Sequence, residues 1–150
     1  MLRLSRRAVL AGAPLLAGAP AAFAAAPALT VYKTASCGCC RGWITTMTRA
    51  GYRPQVVVVE DVTPFNNRYG VPFELSSCHL STIGGYVVVG HTPPTDVARL
   101  LRERPKALGL TVPGMPLGSP GMEMPDGRRE AYATLLLLPG GKTRVFAQHG

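Results

Sequence analysis

The stretch Leu29-Thr30-Val31-Tyr32-Lys33-Thr34-Ala35-Ser36-Cys37-Gly38-Cys39-Cys40-Arg41-Gly42-Trp43-Ile44-Thr45-Thr46-Met47-Thr48-Arg49-Ala50-Gly51 decides the fold. Its first five residues alternate apolar and polar, the two-residue period of a strand. From about Arg41 to Ala50 the period changes. Trp43, Met47 and Ala50 share one helical face, with Ile44 beside it, and Gly51 is a natural stop. Between the two periods lies Ser36-Cys37-Gly38-Cys39-Cys40, so a C-x-x-C sequence from Cys37 to Cys40 sits where a strand passes into a helix N-terminus. The unpaired N–H groups and partial positive charge of a helix N-terminus stabilise a thiolate, the reactive and metal-binding form of cysteine. Cys39 adds a third sulfur within reach of one ion.

Working outward, Gln55 to Glu60 contains Val56-Val57-Val58-Val59, a β-branched run that predicts a parallel strand buried on both faces. Thr63-Pro64 opens a short helix that ends by Gly70. His79 to Ile83 and Tyr86 to Val89 flank Gly84-Gly85, the signature of a tight hairpin. A helix over about Thr95 to Arg104 turns Val97, Leu100 and Leu101 inward and stops at Pro105. Thr111 to Gly127 reads as a Pro-, Gly- and Met-rich loop. Ala133 to Leu138 and Thr143 to Gln148 read as a hairpin around Gly140-Gly141. The order β-α-β-α-β-β-α predicts an α/β domain with a thioredoxin/glutaredoxin-like mixed sheet, extended by that loop and a C-terminal β-hairpin.

The chain has 150 residues, 47% of them hydrophobic, which suits one domain and excludes wholesale disorder. Residues 1–24 read as an export signal: Arg3, Arg6 and Arg7 precede an uncharged stretch, and Ala22-Phe23-Ala24 fits the cleavage rule. Ser5-Arg6-Arg7-Ala8-Val9-Leu10 resembles the twin-arginine export motif, with Val9 where the consensus has Phe. The stretch is rich in Ala and Gly and holds Pro14 and Pro20, so its hydrophobicity is weak for a membrane anchor. The mature domain, 25–150, is then expected in the periplasm, where thiols are readily oxidised. Removing the three leader arginines lowers the net charge from +8 to +5. The remaining basic residues are scattered without aromatic interleaving, which excludes a nucleic-acid partner.

The predicted fold brings Cys78-His79, at the start of the third strand, beside the Cys37–Cys40 turn. Three thiolates and an imidazole form a first shell for Cu(I) or Zn(II). The same cysteines also suit a structural disulfide, Cys37 to Cys40 or Cys78 to one of the cluster, or a thiol–disulfide oxidoreductase. In that last case Cys37 attacks and Cys40 resolves. In the loop, Met115, Met122 and Met124 offer thioethers, soft ligands that prefer Cu(I), as a site of acquisition or transfer. The alternative is that they pack on the domain. His91, just after a strand, reads as a ligand or, in preference, as a simple polar turn residue, and His149, near the last residue, as frayed.

The chain resembles the exported bacterial proteins called domain-of-unknown-function family 411. The resemblance rests on Val31-Tyr32-Lys33, Cys37-Gly38-Cys39-Cys40, Gly70-Val71-Pro72, Ser77-Cys78-His79, Gly84-Gly85-Tyr86-Val87 and Gly90-His91. It is completed by Val112-Pro113-Gly114-Met115-Pro116-Leu117-Gly118-Ser119-Pro120-Gly121-Met122-Glu123. It covers nearly all of the mature chain and implies a thioredoxin-like, metal-binding protein associated with copper handling. Together, residues and resemblance predict a periplasmic protein that buffers or passes Cu(I). Its ligands are Cys37, Cys39, Cys40 and Cys78, with His79 and the methionines assisting, and its partners are the metal ion and another periplasmic copper protein. A thiol–disulfide oxidoreductase is the competing reading.

Overall fold

A computed structural model describes residues 27–150, so the signal expected over residues 1–24 lies outside the described residues. The alternating stretch forms β1 (Leu29–Lys33), and α1 (Gly38–Arg49) follows after the cysteine turn. Then come β2 (Pro54–Val58), α2 (Thr63–Arg68), β3 (His79–Ile83), β4 (Tyr86–Gly90) and α3 (Pro94–Glu103). The chain closes with β5 (Gly109–Val112), β6 (Tyr132–Leu137) and β7 (Thr143–His149). One seven-stranded sheet runs β2-β1-β3-β4-β5-β6-β7. β1 pairs parallel with β2 and antiparallel with β3, and β3 pairs antiparallel with β4. The first four strands and three helices therefore have the thioredoxin arrangement, and β5, β6 and β7 widen it. Among the described residues no helix is long and apolar enough to cross a membrane.

The helical periodicity explains which face α1 buries. Trp43 and Met47 are fully buried against Leu29, Val31, Ile83, Val88 and Val97, so α1 and α3 lie on one face of the sheet. Burying a side chain such as Met47 contributes about 1.5–3 kcal/mol. Leu100 extends that layer onto Tyr86, Leu110 and Leu136. On the opposite face Val71, Leu80, Val87, Val89 and Leu137 form a second cluster beneath the segment around α2.

Three sequence expectations are corrected. β2 is the outer strand of the sheet, and Val56, Val57 and Val58 are exposed rather than buried on both faces. A valine run reports β-propensity, but the number of neighbours in the sheet decides burial. The expected loop from Thr111 begins later, because Gly109–Val112 is a fully buried strand parallel to β4, reached through α3. His149 is not frayed. It ends β7, its ring stacks on Tyr132, and its Nε2 lies 2.9 Å from the Asp96 carboxylate of α3.

A candidate metal centre at the N-terminus of α1

Cys37 is the N-cap of α1, and its Sγ accepts the Cys40 N–H at 3.3 Å, which satisfies one of the helix's free donors. The cap holds the turn so that its sulfurs gather at one end of the sheet. Cys37 and Cys40 are disulfide-bonded, and Cys39 and Cys78 are free thiols. Cys39 Sγ lies 3.6 Å from both Cys37 Sγ and Cys78 Sγ, and Cys40 Sγ lies 3.7 Å from Cys78 Sγ. Sulfurs that share one metal at ~2.3 Å each must lie within roughly 4 Å of each other; these three contacts meet that condition, and all four sulfurs lie within 4.8 Å of one another. Met115 joins it, with its Sδ 3.8 Å from Cys39 Sγ and its side chain half-exposed.

Cys78 is brought there by the last residues before β3. Register pairs Lys33 with His79, so the residue before β3 borders the C-terminal end of β1, where the cysteine turn begins. His79 Nδ1 lies 3.4 Å from Cys78 Sγ. The His79 ring is fully buried against Trp43, whose indole N–H donates to the Thr92 carbonyl at 2.8 Å.

His91 is the residue of this cluster that the sequence reading ranks as a turn residue before a ligand. It is not a polar turn residue: it is fully buried, with Nε2 3.1 Å from Cys78 Sγ. Its Nδ1 lies 2.8 Å from the Pro120 carbonyl, which can only accept, so Nδ1 carries the proton and Nε2 presents its lone pair to Cys78. The hairpin register carries the signal. β3 and β4 pair Leu80 with Val89, and continuing two residues sets Cys78 opposite His91.

Met115 is the methionine whose thioether contacts a cysteine sulfur. The segment folds back on itself through Gly118 N–H to the Met122 carbonyl and Met122 N–H to the Ser119 carbonyl. This leaves Met124 over a separate small cavity beside Arg128 and Arg129. What the segment does supply is the Pro120 carbonyl. It can do so because Gly121, at φ +89°, lies directly on α1: a Cβ there would sit 2.5 Å from Trp43 N and 2.7 Å from the Cys39 carbonyl. Gly121→Ala is therefore expected to cost about 1–3 kcal/mol from overpacking, read as a lower thermal midpoint. Gly38→Ala, where a Cβ meets nothing within 4 Å, is the control expected to leave it unchanged.

Burial favours the neutral forms of Cys78, His79 and His91. Burial, then the Cys39 thiol, pushes the Cys78 thiol up to about 12. Burial, then the charges of His91 and Lys33, pushes His79 down to about 3, and burial also lowers His91. Neutral imidazole is the ligating form, so both histidines are ready to bind a metal ion at neutral pH. Thiolates, a thioether and imidazoles together make a donor set for soft metal ions.

Fold and site thus define a thioredoxin-like domain carrying a Cys/His metal-binding cluster. The family described as "Protein of unknown function, DUF411" matches residues 75–122, the segment from just before Cys78 through Met122. Two solved structures titled copper resistance protein CopG, forms 1 and 2, are 41% and 40% identical to this chain, with TM-scores of 0.77 and 0.78. Each match covers 83% of this chain and 98% or 99% of the solved one. The chain belongs to this copper-associated DUF411 family. No curated protein matches it.

Proposed function

We propose that the protein binds Cu(I) as cargo in the periplasm, to buffer it, pass it to another periplasmic copper protein or confer resistance. The observation that carries this reading is the gathering of Cys37, Cys39, Cys40 and Cys78 with their sulfurs within 4.8 Å of one another, while His79 and His91 meet at Cys78. A structural disulfide needs two of these sulfurs and no imidazole. Reduction of the Cys37–Cys40 bond would free four thiols in one place, and Cu(I) favours such soft donors over water or carboxylate. Zn(II) is the other ion that suits Cys and His. Met115, half-exposed against Cys39, is the thioether placed to receive or release the ion. The titles of the solved relatives, copper resistance protein, point to copper.

The disulfide favours a second reading, a thiol–disulfide oxidoreductase. Reduced Cys37 would attack a substrate disulfide to form a mixed disulfide and release one substrate thiol. Cys40 would then displace the second thiol, leaving the Cys37–Cys40 bond. Cys39→Ser separates the two readings. An exchange cycle that uses Cys37 and Cys40 keeps its rate, whereas a Cu(I) site loses a soft ligand and gains a hydroxyl. Cu(I) affinity is expected to fall at least about tenfold, roughly 1.4 kcal/mol, by anaerobic chelator competition at pH 7 with thiols confirmed reduced. Unchanged affinity, together with disulfide reductase activity in the parent, assigns the protein to the oxidoreductases.

A further inference from the structure

β2 is the outer strand at one end of the sheet, and among the described residues it pairs with β1 alone. Val56 is 46% exposed and Val58 61%, and Val57 lies between them, on the other face, at 39%. The β1 pairing fixes which backbone groups of this edge are unused. Val59 N–H donates to the Lys33 carbonyl, so by the two-residue period of a strand the N–H of Val57 also points at β1. Val56 and Val58 therefore turn their N–H and C=O groups outward. Pro54, the first residue of β2, shares their parity and has no N–H, which suits an outer edge and confines pairing to the residues after it. No charged side chain within β2 guards this row. The opposite outer strand, β7, carries Arg144 and meets β6 through a bulge, two devices that discourage edge pairing.

The strand is framed by opposite charges. Arg53 precedes it, Glu60 and Asp61 follow it, all three are exposed, and no ion pair among the described residues includes them. Asp61 is held in place, its Oδ1 accepting the N–H and the hydroxyl of Thr63. A second copy of β2 laid antiparallel brings the basic end of each strand to the acidic end of the other. A parallel copy sets like charge against like, which is destabilising. We propose that β2 is the seam of a two-fold dimer of this chain, with the axis at Val57. Val56 of one protomer then exchanges backbone hydrogen bonds with the partner's Val58, and Val58 with the partner's Val56, so both outward-facing residues of each edge are satisfied. The two Val57 side chains meet across the axis. Isologous pairing of this kind closes after two copies. Each cysteine turn follows the C-terminal end of β1, which runs parallel to β2, so the two clusters lie at opposite ends of the strands of the joined sheet. The proposal is independent of what those clusters bind.

Analytical ultracentrifugation of the metal-free protein tests it, with a reductant present throughout to remove dimers linked through Cys39 or Cys78. The parent is expected to populate a dimer at concentrations up to about 100 μM, as a small, transient contact does. Val57→Lys sets two cations against each other on the axis and is expected to weaken association at least about tenfold. Val145→Lys, at a similarly exposed position of β7, is the control expected to leave association unchanged. Arg53→Asp and Asp61→Arg are each expected to associate at least about tenfold more weakly than the parent when alone, and to recover when mixed, because each supplies the charge the other lacks. Recovery in the mixture also shows that both variants are folded. A parent that stays monomeric at about 100 μM overturns the proposal. So does a dimer that Val145→Lys weakens as much as Val57→Lys, an assembly that grows beyond two copies, or a mixture that associates no better than its components.

Discussion

Replacing Cys78 with Ser is expected to lower Cu(I) affinity at least about a hundredfold, or roughly 2.7 kcal/mol, more than any other single thiol substitution. The reason is position. Cys78 Sγ touches Cys39 Sγ, Cys40 Sγ, His79 Nδ1 and His91 Nε2, and so joins the cysteine turn to the two imidazoles. Cys39 meets sulfur alone, and its loss leaves the remaining donors in contact with one another through Cys78. A serine hydroxyl in place of the Cys78 thiol is a hard donor, and its oxygen is too short to span the same gaps. The parent's affinity is also expected to rise with pH across the neutral range. The Cys78 thiol is held up to about 12, so metal must displace its proton, and each pH unit reduces that competition about tenfold per thiol proton released. Chelator competition at pH 6, 7 and 8 in parent and Cys78→Ser checks both effects. The variant should show a shallower pH dependence by about one proton. Equal affinities, or equal slopes, would remove Cys78 from the site.

Much of this architecture is legible in the sequence because several local signals agree. The alternation in Leu29–Lys33, the Trp43/Met47 spacing and the Gly84-Gly85 turn each specify one element. Short connections between them leave few topologies, and the parallel pairing of β1 with β2 is the expected outcome. The cysteine turn at the start of α1 is marked by the change of period between strand and helix. The features that escape are set by contacts distant in sequence. The Val56–Val59 run has the composition of a central strand, and nothing within it records that, among the described residues, no further strand pairs beyond. Gly109-Leu110-Thr111-Val112 is short and runs directly into a Pro/Gly segment, which masks its strand character. His91 is hidden because its immediate neighbours, Gly90 and Thr92, look like turn residues. Its ring is held by Pro120, 29 residues further along the chain, which only the packing of Gly121 on α1 brings near. Among the methionines, Met115 meets the sulfurs because the segment that carries it also bonds back to the residues before β3, Gly114 N–H to the Ser76 carbonyl.

Acid is expected to destabilise the reduced, metal-free protein well before its carboxylates titrate, and His79 is expected to be the main cause. In the folded protein burial holds the His79 imidazole down to about 3, whereas an unfolded chain titrates it at its ordinary value of 6.5. Between those two values the unfolded state binds a proton that the folded state refuses. Unfolding is thus favoured increasingly as pH falls, at up to about 1.4 kcal/mol per pH unit, and the loss between pH 6.5 and 4.5 is roughly 2 kcal/mol. His91 is depressed in the same direction by burial and adds to the slope. The exposed Asp61 and Asp126, whose carboxyls are lowered by hydrogen bonds from Thr63 and Arg128, withdraw their support only below 3.8 and so act in a different window. At the alkaline end Cys78 acts with the opposite sense: the unfolded thiol ionises near 9 and the folded one near 12, so stability falls as pH rises between them. His79→Phe tests the acid limb. The ring keeps its place against Trp43, and a buried Nε2 that has no hydrogen-bond partner is removed, so stability at pH 7 should be preserved or raised. Urea unfolding from pH 7 to pH 4.5 should then show a slope markedly shallower than the parent's, with the rest of the slope belonging to His91. A variant that loses stability with acid as steeply as the parent would show that His79 does not govern this limb.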